Sequence, residues 1–202
     1  MTRLAALPRD VWKTVRRWLP ARRKRSPPPL SAPAYWAVGV GLVVGLVGLL
    51  VLYGRPVLGP PGFLLVGPSE GSLGSSALFD GYTILHGVYG MGLRLLLRRT
   101  SGHWPAPWLV LVTVAAAVTW EAVENLPLIA EAFSLEPAAA YEGDTILNAL
   151  GDVAAALVGY GLAAALPWPA AVATAVALEI GLVAVGFDGI ASATWKVLAG
   201  AA

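Results

Sequence analysis

The sequence predicts an all-α protein, a polytopic membrane helix bundle of five transmembrane helices with a cytoplasmic N-terminus and an extracytoplasmic C-terminus. Three observations predict it. The 202 residues are 57% hydrophobic and 13% charged, with a mean hydropathy of +0.69, whereas a soluble domain is about a quarter charged. Apolar runs of helical length recur along the chain with no strand-rich segment between them. Nine of the fourteen lysines and arginines fall within the first 25 residues, so the basicity belongs to one tail. Cysteine is absent, which excludes disulfides, thiolate metal sites and a cysteine nucleophile.

Residues 1–33 read as a basic cytoplasmic tail. Val11, Trp12, Val15, Trp18 and Leu19 recur at helical spacing, with Lys13, Arg16 and Arg17 on the other side, as in a short helix lying in the membrane interface. Arg22, Arg23, Lys24 and Arg25 add a polybasic stretch before the proline linker SPPPLSAP. Such a tail suits membrane lipids, with Arg16, Arg17, Arg22, Arg23, Lys24 and Arg25 on anionic headgroups, rather than nucleic acid. An ordinary positive-inside signal accounts for the same charges equally well.

Residues 34–202 read as a five-span domain. Ala34 to Tyr53 is long enough to cross a hydrocarbon core of about 30 Å, and its length and the absence of a cleavage site argue for a retained span rather than a signal peptide. Four further spans run roughly from Asp80 to Leu97, Trp108 to Asn125, Gly143 to Leu166 and Trp168 to Phe187. The Gly, Pro and Ser-rich segment between the first two reads as an irregular outer loop whose Phe63 to Val66 dips into the interface. Arg98 and Arg99 lie in the second connection, Glu131, Glu136 and Glu142 in the third, so the positive-inside rule sets the orientation. Arg55 and Lys196 are the bases left on the outer side. The expected location is the bacterial inner membrane.

That topology gives each polar residue of the spans a depth. Asp80 sits at the outer rim of the second span, and His86 lies six residues, about 9 Å, deeper. Glu121, Glu124 and Asn125 occupy the last outer turns of the third span; Asp144, Asn148 and Asp152 occupy the first turns of the fourth. On helical wheels Asp144, Asn148 and Asp152 share an arc with Gly151, Ala155 and Gly159, while Asp80, Thr83 and His86 share one with Gly87 and Gly90. Small residues beside the acids allow neighbouring helices to approach closely. The simplest assembly turns these stripes toward one another around a polar pocket open to the outer side.

Six acids, namely Asp80, Glu121, Glu124, Asp144, Asp152 and Glu179, then lie in or at the rim of the spans, against one span base, Arg94. Carboxylates at mid-membrane are costly, each about 2.5 to 3.5 kcal/mol on insertion scales. Either some carry protons or a cation sits among them. Protonated acids hydrogen-bonding neighbouring helices are the plainer alternative, and the outermost of them serve as solvated helix caps, Asp144 before the fourth span above all. Glu179 stands alone midway along the fifth span, outside the core set. His103 reads as ordinary surface.

Around these residues the sequence resembles an uncharacterised family of small bacterial integral membrane proteins, domain of unknown function 2585, and more remotely the VanZ-like membrane proteins. The resemblance runs from about Ser69 to Glu179. It rests on Asp80-Gly-Tyr82-Thr83 followed by His86, on Trp120-Glu121 with Glu124-Asn125, and on Tyr141-x-Gly143-Asp144-Thr145-x-x-Asn148 with Asp152. A second histidine of the family pattern is Tyr89 here, and its basic residues after Glu-Asn are Glu131-Ala-Phe133, which weakens a metal site and removes a counterion. The VanZ likeness implies a role at the cell envelope.

Three functions follow as expectations. The first is a site binding a divalent cation (Mg, Mn or Zn) or a polar lipid headgroup, with His86, Glu121, Glu124, Asp144 and Asp152 as metal ligands and Asp80, Tyr82, Thr83, Asn125 and Asn148 lining it. In its enzymatic form a metal-activated water hydrolyses an envelope-lipid ester or phosphoester, with Glu121 or Asp152 as the catalytic base. The second is an accessory subunit of a membrane complex or a homo-oligomer, packed through Gly41 and Gly45 at GxxxG spacing. The third is proton- or cation-coupled transport, disfavoured because the inner half of the second span offers only Arg94. Serine-elbow, P-loop, Rossmann and His-Glu-x-x-His signatures are missing.

Overall fold

In the computed structural model, which describes residues 25–60, 62–67, 74–133, 143–187 and 189–190, local signals start and stop each helix. Ser31 accepts a hydrogen bond from the Ala34 N–H at 3.4 Å, and Pro33 occupies the first turn, so α1 runs Ala32–Leu52. This is a Ser N-cap followed by a proline whose missing N–H costs nothing there. At the other end Gly54 takes φ +77°. The Arg55 N–H donates to the Leu50 carbonyl at 2.9 Å and the Gly54 N–H to Val51 at 3.0 Å, the paired bonds of a Schellman stop. That stop turns the chain sharply and sends Arg55 back toward the bundle.

Helix α2 (Thr83–Ser101) begins three residues later than the expected span. Its entry is held by a reciprocal pair: the Thr83 N–H donates to Asp80 Oδ1 and the Asp80 N–H to Thr83 Oγ1, both at 2.9 Å. Helix α3 (Ala106–Glu124) carries Pro107 in its first turn and ends at the C-cap Asn125. A short helix, α4 (Pro127–Phe133), follows where the sequence suggested only a connection; Pro127 presets the first φ, and Leu, Ala and Glu among the residues after it are good helix formers. Helix α5 (Ile146–Ala165) is N-capped by Thr145, whose side chain accepts from the Asn148 N–H at 3.2 Å. The expected cap Asp144 is therefore displaced by its neighbour. Helix α6 (Trp168–Ala184) begins after Pro167.

Helix α5 is the centre of the bundle, with ten of its twenty residues buried. It packs most extensively on α2, then on α3, while α1 lies against α3 and α6 against α2. The α2–α5 contact depends on small residues. A Cβ at Gly90 would overlap the Ala156 carbonyl, and one at Gly159 would overlap the Gly87 carbonyl. In lipid, where apolar side chains gain little from leaving the solvent, such close approach supplies the association. Leu46, Leu50, Ala117, Ile146, Ala149, Val153 and Ala156 form the largest core at the α1–α3–α5 junction. Gly41 and Gly45 meet no atom within 4 Å of a Cβ, so the expected GxxxG face of α1 is not used among the described residues.

Three helices, α1, α3 and α5, are long and apolar enough to cross a membrane. Helix α2 carries Arg94, Arg98 and Arg99, and α6 is 17 residues long. Outward side chains such as Trp36 and Val158, 76% and 71% exposed, make an apolar exterior suited to lipid. No strand is present among the described residues; the loop between α1 and α2 holds only isolated bridges, Gly59 to Gly62 and Val66 to Phe79. The expected tail helix and Arg16, Arg17, Arg22, Arg23 and Lys24 lie outside the described residues, as do Glu136, Tyr141, Glu142 and Lys196; Arg25 is exposed.

Candidate functional site: a buried carboxylate and histidine cluster

Chain direction brings four helix ends together: the exit of α1, the entry of α2, the exit of α3 and the entry of α5. His86, four residues into α2, faces α3 and α5 at once. Its Nδ1 lies 3.2 Å from Glu121 Oε1 and its Nε2 3.8 Å from Asp152 Oδ2. All three are buried, Glu121 completely. His86, Glu121 and Glu124 each offer one ligand atom, and these atoms lie within 4.8 Å of one another. Glu124 is the least enclosed of the three, with Trp120 within hydrogen-bonding reach.

A second pairing lies at the rim. Asn125 Nδ2 donates to Asp144 Oδ2 and the Asp144 N–H donates to Asn125 Oδ1, each at 2.8 Å. Asn125 Nδ2 also reaches back to the Glu121 carbonyl at 3.1 Å. Asp144 is thereby committed to the α3–α5 connection. Asp80, which precedes α2 and lies outside the helices, caps it; burial pushes its carboxyl above the ordinary carboxylate range, and the Thr83 hydrogen bond opposes that. Thr83 lies between Asp80 and Asp152.

Two of the expected lining residues turn elsewhere. Asn148 Nδ2 donates to the Ala77 carbonyl at 3.0 Å, so it anchors the loop before α2. Tyr82 is 43% exposed and stacks edge-on with Phe187 at 5.3 Å between centroids. Glu179, expected outside the core set, lies against Gly189, where a Cβ would overlap its Oε1. His103 is exposed, 3.4 Å from the Arg25 carbonyl.

The cluster is covered, which corrects the expectation of an open pocket. The loop after α1 supplies the cover through its backbone: the N–H groups of Thr145, Ile146 and Leu147 donate to the carbonyls of Ser75, Pro56 and Val57 at 2.9 to 3.2 Å. The orphan donors of the α5 N-terminus are satisfied in this way. Two surface grooves, about 490 Å³ beside Tyr89, Val112 and Trp120 and about 350 Å³ beside Phe79, Met91 and Val158, contain no carboxylate of the cluster in their walls.

Arg55 is the residue that sequence reasoning missed. Read only as an outer-side base, it donates from Nη2 to the Asn125 carbonyl at 3.0 Å, and its guanidinium fills the place a Cβ at Gly143 would need. Gly143 also has φ +92°, so glycine is required there on two counts. The findable signal was Gly54 directly after the first span, a helix-stopping glycine that returns the chain.

The electrostatic balance is one-sided. Among the described residues no lysine or arginine lies within ion-pair distance of Glu121 or Asp152. Glu121 Oε2, Asp152 Oδ1 and Glu124 Oε2 are buried without a hydrogen-bond partner among the described residues, and Glu121 Oε1 has only the His86 ring nitrogen at 3.2 Å. All of these oxygens are acceptors, so the cluster is short of positive charge or protons.

The chain is similar to known proteins over most of its length. The family described as "Protein of unknown function (DUF2585)" matches residues 50–194. A UPF0314 protein of Sphingopyxis alaskensis is 29% identical over 153 residues, covering 72% of this chain and 79% of that protein. One of Paracoccus denitrificans is 30% identical over 151 residues, covering 74% and 78%, and one of Rhizobium meliloti 37% over 122 residues, covering 56% and 58%. No solved structure matches the chain.

Proposed function

Because the chain belongs to the DUF2585 family and buries an imidazole among carboxylates, we propose that it is a multi-pass protein of the bacterial inner membrane that holds a divalent cation within its helix bundle. An orientation with the N-terminus inside is supported by the nine bases of the first 25 residues and by Arg98 and Arg99 at the end of the bundle where α1 begins. The observation that carries the cation is the His86, Glu121 and Glu124 set, whose donor atoms lie within 4.8 Å of one another. Asp152, 3.8 Å from the other ring nitrogen, plays the part of the carboxylate that orients a ligating histidine. Oxygen donors with one imidazole suit Zn, Mn or Mg. Enclosure of the cluster favours a bare cation over a lipid headgroup.

Elemental analysis of the full chain, purified in detergent without a metal-chelating tag, tests this reading. One Zn, Mn or Mg per chain is expected in the wild type, lost in Glu121→Gln and His86→Ala with helical content retained. A wild type without stoichiometric metal overturns it and leaves a proton-sharing cluster. The enzymatic form of the proposal is hydrolysis of a lipid-linked ester by a cation-activated water with Glu121 or Asp152 as base. It requires the covering loop to admit substrate, and a wild-type rate unchanged in Asp152→Asn would exclude Asp152 from that role.

A second reading, assembly with another membrane protein or a second copy, is favoured by one observation: among the described residues, a Cβ at Gly41, Gly45 or Gly48 on α1 would face open space. Crosslinking in native membranes, wild type against Gly45→Leu, tests it; an unchanged solitary chain in both rules it out.

A further inference from the structure

We propose that the end of the bundle opposite the acid cluster binds the phosphate of an anionic phospholipid, on a site built from Arg94 and Tyr160. Arg94 lies in α2 seven residues before Ser101, its last residue, about 10 Å along the axis from that end. Its surroundings are apolar: Leu97, Leu109 and Tyr160 are buried together, with Trp104 and Val112 packed against them. A cation at such a depth requires a counter-charge. Among the described residues no carboxylate lies within ion-pair distance of it.

What Arg94 does have is Tyr160. Its Nη1 donates to the Tyr160 hydroxyl at 3.4 Å, and its Cζ lies 5.4 Å from the ring centroid. Nε is buried with no acceptor. A guanidinium presents five N–H donors in a fork that matches phosphate oxygens, and the protein accepts from one of them here. The Tyr160 oxygen is used as an acceptor, so its own O–H remains to donate to the same phosphate.

Charge and position select the lipid. Arg98 is exposed one turn further along the same face of α2, giving the site two positive charges. Trp108, whose Nε1 donates to the Pro28 carbonyl at 2.8 Å, and Trp104 mark the interfacial height at this end. A phosphate drawn slightly inward from that height meets Arg94 reaching outward along its apolar stem. Two positive charges with no acid between them favour a headgroup of net negative charge over a zwitterionic one. This site is separate from the cation cluster and does not depend on it.

The test uses the full chain in detergent, with native mass spectrometry to count retained phosphatidylglycerol and thermal unfolding titrated with phosphatidylglycerol, phosphatidylcholine or inorganic phosphate. Wild type is expected to retain phosphatidylglycerol and to be stabilised by it alone. Arg94→Gln and Tyr160→Phe should each weaken that response about tenfold, with Arg94→Lys intermediate because it keeps charge without the fork. Arg99→Gln, off this face, should match the wild type. The basic tail is common to all these variants, so the difference between them belongs to Arg94 and Tyr160. Tyr160→Phe keeps the ring packing and remains informative should Arg94→Gln fail to fold. Equal phosphatidylglycerol binding by wild type and Tyr160→Phe, an equal response to phosphatidylcholine, or the same shift from inorganic phosphate alone would each overturn the proposal.

Discussion

Asn125 and Asp144 hold each other reciprocally, side chain to side chain and side chain to backbone, both at 2.8 Å. This closes the exit of α3 on the entry of α5 across the segment between them. Both residues are buried, so neither has water as a substitute partner. Asn125→Ala should destabilise the protein by about 2 to 4 kcal/mol, because two bonds are lost and a buried carboxylate loses one of its donors. Asn125→Asp places a second carboxyl against Asp144, so its unfolding temperature should fall further at pH 8 than at pH 5. Thermal unfolding in detergent at both pH values measures this, and equal losses at the two would contradict it.

The α2–α5 contact gives a steric prediction with an internal control. Gly90→Ala drives a methyl group into the Ala156 backbone and should cost about 1 to 3 kcal/mol as overpacking. Gly45→Ala, where a Cβ meets nothing, should be neutral or mildly stabilising for the isolated chain, because alanine exceeds glycine in helix propensity by about 1 kcal/mol. Resistance to detergent denaturation separates the two.

Asp80 makes stability depend on pH. The pKa of its carboxyl is raised by burial in the folded state, so the folded protein binds more protons than the unfolded one as the pH climbs above the ordinary carboxylate range. Stability from this group is greatest at low pH and declines as the pH rises toward the folded value. Asp80→Asn keeps an acceptor for the Thr83 N–H and should flatten the acid side of the pH profile. A variant profile as steep as the wild type's would assign that dependence to the other carboxyls.

Arg55 predicts a local effect. Arg55→Met removes the bond to the Asn125 carbonyl and should cost about 1 to 3 kcal/mol. The exchange protection of the Thr145, Ile146 and Leu147 amides, which the adjoining loop covers, should fall with it. Unchanged protection at these three amides would uncouple the arginine from the cover.

Much of this was legible in residue order. Apolar run length determined the helical class and placed α1, α3 and α5, because a backbone in lipid must satisfy its own hydrogen bonds. Residue spacing put His86, Glu121 and Asp152 at one height and set Gly87, Gly90 and Gly159 beside them, since helix geometry converts spacing into depth and face. The closure of the site belonged to the tertiary structure. Gly54 ends α1 with a turn whose destination depends on where α3 and α5 stand, so Arg55 reads as an outer-side base until Asn125 and Gly143 are in place. Asn148 leaves the acids for the Ala77 carbonyl and Thr145 takes the cap from Asp144 for the same reason: a buried polar group bonds with whichever partner the fold brings nearest, and residue order does not state which partner that is.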